Sequence, residues 1–282
     1  MQRFSVPTLS FVFIASSMLW LTSCNKDNAP GALSTTVSAE DQGLADEENA
    51  SAGDIIDAAS PETEAQSNSA TVASADDLAR LLSGCATRSY DAATKTLTID
   101  FGTTNCVGPN GVARRGKIIA VFSGPYRQAG ATITITPQNY FVNDKQHLGT
   151  RVLTNLGNGS FSLDVKDASV VTTEGTHKWS AQRTYTRTAG FGTRTILDDK
   201  FTVTGSATGT NRKGVGYSAV ITQPLVKQFT PGCARHFTAG IITITNSKEK
   251  SMVLNYDPTG TAACDNIASV TINGVTRTVT LR

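Results

Sequence analysis

The sequence predicts an all-β body: an antiparallel meander forming a large sandwich or a curved, barrel-like sheet, preceded by a disordered acidic segment and one short helix. Three observations lead there. Apolar residues alternate with Thr, Ser and charged residues at period two through most of residues 94–282. Turn signals punctuate the alternation: Asn110-Gly111, Asn158-Gly159, Glu174-Gly175, Gly190-Phe191-Gly192 and Asn273-Gly274. No stretch with a helical period comes between the strands, so βαβ units and a parallel sheet are not expected.

At the N-terminus Arg3 precedes a mostly apolar run from Phe4 to Leu21, the charge-then-apolar order of a secretory signal. An uncleaved transmembrane helix is the alternative, against which Pro7 and the interspersed Ser and Thr residues count. Leu21-Thr22-Ser23-Cys24 resembles the lipobox of bacterial lipoproteins, with Leu at −3, a small residue at −1 and Cys at +1. The resemblance implies a signal peptide over residues 1–23, cleavage before Cys24, and a diacylglyceryl thioether with an N-acyl chain (palmitate-type lipid) on that cysteine. At roughly 0.8 kcal/mol per buried CH₂, such an anchor is effectively permanent. Asn25-Lys26-Asp27 is similar to the short Lys/Asp signal that sends lipoproteins of the Bacteroidota to the outer face of the outer membrane, with Asn28 departing from it. The expected location is the outer membrane, exposed at the surface rather than facing the periplasm.

Residues 24–73 read as an acidic flexible tether. They are rich in Ala, Ser, Thr, Asp and Glu and carry no aromatic residue. Such a segment has too little apolar surface to offset its own ordering entropy. Residues 25–80 hold twelve carboxylates against Lys26 and Arg80, whereas residues 81–282 hold 22 Lys and Arg against 11 Asp and Glu, a charge of +11. The near-neutral total therefore hides an acidic leader and a basic body. A field of that size attracts polyanions, although the cations are spread along the body and also serve solubility.

The body spans residues 74–282. Ser74-Ala75-Asp76-Asp77 fits a helix start, Leu78, Leu81 and Leu82 an apolar stripe, and Gly84 a stop. Strands follow, among them Thr96–Phe101, Thr132–Thr136, Phe161–Lys166, Phe201–Val203, Ile242–Ile244, Val253–Tyr256, Val270–Ile272 and Val279–Leu281. Thr and Ser on one face with apolar residues on the other fit a water-exposed sheet packed on one side. A transmembrane barrel would need an apolar outer face with aromatic girdles.

Cys85, Cys106, Cys233 and Cys264 form an even set in a chain read as exported, and three disulfide connectivities are possible. Gly84-Cys85 and Gly232-Cys233 each lead through strand material to a second cysteine ahead of an Asn-Gly turn, a parallel that favours Cys85–Cys106 and Cys233–Cys264. A zinc site is the alternative, but no Cys-x-x-Cys knuckle exists. Gly-x-x-Arg recurs at Gly111, Gly209 and Gly274, which fits a reused hairpin better than a phosphate loop.

No catalytic signature stands out. His147, His177 and His236 have no metal-ligand spacing, and no Gly-x-Ser-x-Gly elbow is present. No cofactor or metal is expected. The candidate ligand surface is the strand Thr176–Arg187, where period two places His177, Trp179, Arg183, Tyr185 and Arg187 on one face. Aromatic planes beside guanidinium groups suit a sugar carrying an acidic substituent. The structural alternative puts Trp179 and Tyr185 in the core, with the arginines reaching out at the sheet edge.

Leu97-Thr98-Ile99-Asp100-Phe101-Gly102, Arg114-Arg115-Gly116-Lys117-Ile118, Asn139-Tyr140 and Cys264-Asp265-Asn266 resemble uncharacterised β-rich lipoproteins of the Bacteroidota. The resemblance implies no activity and no site residues. The expected function is a lipid-anchored, non-enzymatic envelope protein that binds a partner protein or a surface polymer such as an anionic glycan, with nucleic acid not expected. A glycan-binding or glycan-active accessory and a purely structural envelope component are the alternatives.

Overall fold

The computed structural model of the chain describes residues 30–60, 84–108, 111–191, 193, 195–230, 233, 236–247 and 250–281. A helix, α1 (Pro30–Ala59), precedes the strands β1 (Thr87–Asp91), β2 (Thr96–Asp100), β3 (Cys106–Val107), β4 (Ala113–Phe122) and β5 (Thr132–Val142). The long central strands are β6 (Lys145–Gly157), β7 (Ser160–Thr172), β8 (Gly175–Ala189), β9 (Lys200–Thr210) and β10 (Gly216–Gln228). The series ends with β11 (Ala239–Asn246), β12 (Ser251–Asn255), β13 (Ile267–Ile272) and β14 (Val275–Thr280).

All fourteen strands belong to one sheet in the order β1-β2-β4-β5-β6-β7-β8-β9-β10-β11-β12-β13-β14, with β3 paired beside β4. Each neighbouring pair is antiparallel, so the meander stands, and of the two expected architectures the single curved sheet is the one formed. Asn158-Gly159 and Asn273-Gly274 turn with positive φ at both residues (51° and 69°, 51° and 77°), the geometry that matches the right-handed twist of the flanking strands. Among the described residues no pairing joins β1 to β14.

Curvature follows from what the inner face touches. Arg88 of β1, Arg114 of β4, Arg151 of β6, Arg183 of β8 and Lys227 of β10 all reach α1. Thirteen strands laid flat at about 4.8 Å spacing would be roughly 60 Å wide. A single helix takes side chains from strands between β1 and β10 and packs against β11 and β12 only if the sheet wraps round it. Bulges help: the register slips at Gly116 (φ +87°) and Gly149 (φ +101°), each opposite a backbone too close to admit a side chain, and each slip bends its strand. The outer face is hydroxyl-rich, with Thr132, Thr154, Ser162, Thr184 and Thr204 in one cross-strand row over β5 to β9.

Helix α1 corrects the expected flexible tether. Residues 30–59 of that segment form a 30-residue helix whose side chains from Thr36 onward are largely buried, including Ala39, Ala45, Ile55, Ile56 and Ala59 at 1% exposure or less. Its Ala content favours helix, Pro30 suits the first helical position, and the Ser60 hydroxyl donates to the Ile56 carbonyl (2.5 Å) where the helix stops ahead of Pro61. The helix shows no apolar stripe because most of its faces meet the sheet, with Glu40, Leu44, Glu48 and Ser51 half-buried along the remaining side. Mid-helix Gly43 allows the approach of β12 and of Leu281 beyond β14, whose Cδ2 lies 3.0 Å from where a Cβ would stand. The remaining tether residues, the helix expected from Ser74, and Cys24 lie outside the described residues.

The disulfides are Cys85–Cys106 and Cys233–Cys264, with Cα atoms 5.8 and 4.5 Å apart, which is the local pairing the duplicated pattern favours. Closing loops of 21 and 31 residues, each removes roughly 3–4 kcal/mol of unfolded-chain entropy.

Candidate ligand chamber

The interior is organised by α1's seven carboxylates, which have no cation on their own helix. From the N-terminal end, Glu40 and Asp41 hold Arg212, with Glu40 at 2.6 Å from its Nη2. Asp46 lies 2.9 Å from Arg183, both side chains almost fully buried. Glu47 meets Nδ1 of His236 at 2.6 Å, and Glu48 faces His147 at 3.6 Å, longer than a hydrogen bond. Asp54 takes Lys227 at 2.9 Å, and Asp57 accepts from the Tyr126 hydroxyl with Arg127 beside it at 3.8 Å. Much of the body's excess positive charge is thus directed inward and used by the helix.

Where α1 ends, the sheet does not close tightly on it and a chamber of about 360 Å³ remains. Its walls are Gly53, Asp54 and Asp57 of α1, the β4–β5, β6–β7 and β8–β9 connections, and inward residues of β5 to β10. The aromatic wall comes from Phe161 stacked on Tyr185 (centroids 4.7 Å), with Phe201 tilted against Phe161 and Phe229 edge-on to Phe201. Phe191 stands at the mouth, 61% exposed, with the Arg187 guanidinium 5.6 Å from its ring centre. The Lys227 ammonium lies 4.8 Å over Phe229.

The chamber's charge is balanced. Asp54, Asp57 and Asp199 answer Lys227, Arg127 and Arg187. Burial pushes Asp54 up to about 6, and Lys227 only partly opposes it. Burial likewise pushes Asp199 up to about 6 against the pull of Arg187. Two carboxyls poised near neutrality beside an apolar wall are a recognised feature of binding and acid–base sites. Volume and lining sit at the lower end of small-molecule pockets, enough for the end of a ligand and not for a length of polymer.

The strand expected to carry a ligand surface is β8, and its five residues do share one face, but that face looks inward. His177, Trp179, Arg183 and Tyr185 are all at most 4% exposed. Trp179 stacks on His177 (4.7 Å), which shares a 2.7 Å hydrogen bond with the Tyr217 hydroxyl. Burial drives the His177 imidazole down to about 3, assisted by Arg212, and burial also lowers His147. The core placement of Trp179 and Tyr185 agrees with the structural alternative, whereas the arginines depart from it. Arg183 is sealed against Asp46 instead of reaching out, and Arg187 is tied to Asp199 and to the carbonyls of Ala189 and Gly190. Only Tyr185 and Arg187 of the five line the chamber. An acidic substituent would find Arg187 already engaged.

The chamber residues missed in the sequence, Asp54, Tyr126, Phe201 and Phe229, come from four separate segments. Their one local signal is the clustering of Phe at strand edges near Gly- and Asp-rich turns, which a single chain does not distinguish from core. A wider, open groove of about 900 Å³ crosses β7 to β11, walled by hydroxyls of Ser180, Thr208, Thr210 and Ser218 and by Lys178, while the aromatic residues beneath it, Trp179 and Tyr217, are buried. It lacks the enclosure and the aromatic faces of the chamber. Among the described residues no cluster of His, Cys, Asp and Glu could hold a metal ion, and no helix is long and apolar enough to cross a membrane.

Comparison with known proteins places no label on this arrangement: no family model, no curated protein and no solved structure matches the chain.

Proposed function

We propose that this chain is a lipid-anchored protein of the cell envelope, held in the outer membrane through Cys24, that binds the ring-bearing end of a neutral surface glycan in its chamber. The observation that carries the reading is the aromatic wall of Phe161, Tyr185, Phe201 and Phe229 set beneath three neutralised ion pairs. Aromatic faces suit the apolar face of a sugar, and engaged charges and amides at the edges suit its hydroxyls. The balanced lining supports a neutral ligand over the polyanion suggested by net charge, because a field acts at a distance only when its sources are not cancelled nearby.

The test is titration of residues 25–282 with neutral and acidic oligosaccharides over a salt series, alongside Phe191→Ala, an exposed position whose loss spares the core. Saturable neutral-sugar binding that is insensitive to salt and falls about tenfold in Phe191→Ala, an aromatic contact of about 1.4 kcal/mol, supports the site. Salt-sensitive binding of acidic polymers alone, unchanged in the variant, returns the body to a diffuse basic field.

A glycan-active enzyme is the second reading, favoured by one observation. Asp199, raised to about 6 and further pushed up by the charge of Asp57, has the protonation behaviour of a general acid beside a second carboxylate. New reducing ends that appear with the wild type and vanish in Asp199→Asn would promote it.

A further inference from the structure

The arrangement of α1 within the sheet has a direction, and together with the proposed anchor it orients the molecule. Helix α1 begins beside the β9–β10 turn: Asn211 donates to Ser38 (2.9 Å), the backbone N–H of Arg212 donates to Asp41 (2.7 Å), and Arg212 also takes Glu174 of the β7–β8 turn (3.1 Å). It ends beside the β4–β5 connection, at Tyr126 and Arg127. In an antiparallel meander the β7–β8 and β9–β10 turns share one rim, and the β4–β5, β6–β7 and β8–β9 connections share the other. The chamber opens at the second rim, the far end of strands such as β8, whose 15 residues extend roughly 50 Å.

Only five residues lie between Cys24 and Pro30, a reach of at most about 20 Å. Pro30 lies about 12 Å of helix before Ser38 at the entry rim, and α1 runs on roughly 28 Å from Ser38 to Asp57 at the chamber rim, so a lipid on Cys24 holds the entry rim close and leaves the chamber rim far. An independent observation agrees. The entry rim carries Lys145, Lys178, Lys213 and Lys250 against Asp144 and Glu174, whereas the chamber rim carries Asp91, Asp198, Asp257 and Asp265 against Lys95, Arg127 and Lys200, so the net charge is positive on the first and slightly negative on the second. Charges act on a headgroup layer within a Debye length of about 8 Å, so such a separation turns the basic rim towards anionic lipid and the acidic rim away.

We infer that the rim formed by the β5–β6, β7–β8 and β9–β10 turns rests on an anionic membrane surface, with the chamber mouth pointing away from the bilayer. The inference rests on the anchor at Cys24 proposed above.

The experiment uses the lipidated full chain in vesicles of phosphatidylethanolamine and phosphatidylglycerol, with a fluorophore attached through an azide-bearing residue at position 213 or 128 and a headgroup-nitroxide lipid as quencher. The probe at Lys213 loses its fluorescence when quencher lipid is included, and the probe at Gln128 of the chamber rim keeps it. Equal quenching at both positions, or quenching at 128 alone, overturns the orientation. Flotation of the unlabelled chain against Cys24→Ser separates the two claims. A wild type that floats while Cys24→Ser does not sustains the anchor whatever the probes report. A wild type that fails to float overturns anchor and orientation together.

Discussion

The Arg183–Asp46 pair shows how much a buried charge depends on its partner. Both side chains are almost inaccessible, with Gln42 also donating to Asp46 at 2.6 Å. Arg183→Met leaves the carboxylate buried and uncompensated and is expected to cost about 3–5 kcal/mol in denaturant unfolding. The double variant Arg183→Met/Asp46→Leu removes both charges and should recover most of that loss; a double variant no better than the single one would show that the pair is not sealed. His177 makes a second prediction. Its folded value of about 3 lies below the ordinary 6.5, so the unfolded chain binds the proton more tightly. Stability contributed by the neutral imidazole is therefore full above pH 6.5 and declines as pH falls towards 3, by about 2 kcal/mol at pH 5. Asp54 and Asp199 act oppositely: their raised values penalise the fold above about pH 6 and relax as pH falls towards 4. Thermal melts at pH 7.5 and 5 should show a smaller acid shift of Tm in His177→Phe than in the wild type. Residue chemistry was legible on β8, where period two correctly grouped five side chains; what they faced was not, because alternation names a face without saying what lies against it.

Helix α1 is the element that sequence periodicity did not find. A surface helix announces itself by an apolar stripe, and a core helix by being apolar all round. This one is neither, since Ala and Ile meet apolar walls at some angles while carboxylates meet arginines at others. If residues 30–59 were a spacer, Ile56→Ala would be silent. At 0% exposure within the core, it should instead cost about 2–5 kcal/mol in urea unfolding. The strands were easier to read because each carries its own evidence: alternation inside the element and an Asn-Gly pair at its end.

For the whole molecule, α1 acts as the inner layer of a one-sheet protein. It brings seven carboxylates to a body with 11 surplus positive charges, so the folded unit is far less basic than the body taken alone. A chain of residues 84–282 without α1 exposes Arg183, Arg151 and Lys227 in an open trough. It should bind a cation-exchange resin more tightly than residues 25–282 do. It should also regain a cooperative melt only when a peptide of residues 30–60 is supplied, as followed by calorimetry with and without peptide. A cooperative melt without the peptide would reduce α1 to an accessory layer.

Local rules carried the sequence reading as far as they reach. The antiparallel meander, its hairpin turns, the hydroxyl-rich outer face and the pairing of Cys85 with Cys106 and Cys233 with Cys264 all follow from contacts between residues close along the chain. Three features came from the tertiary structure alone: one sheet in place of two, the acidic leader packed inside it, and a chamber assembled from α1 and strands more than 70 residues away. Each depends on partners such as Asp46 and Arg183, 137 positions apart, whose attraction exists only after the sheet has curved. Isolated residues 30–59 lack the apolar surface to order themselves, and the body's inward arginines lack counter-charges. Neither deficiency is visible as complementary until both are placed in one interior.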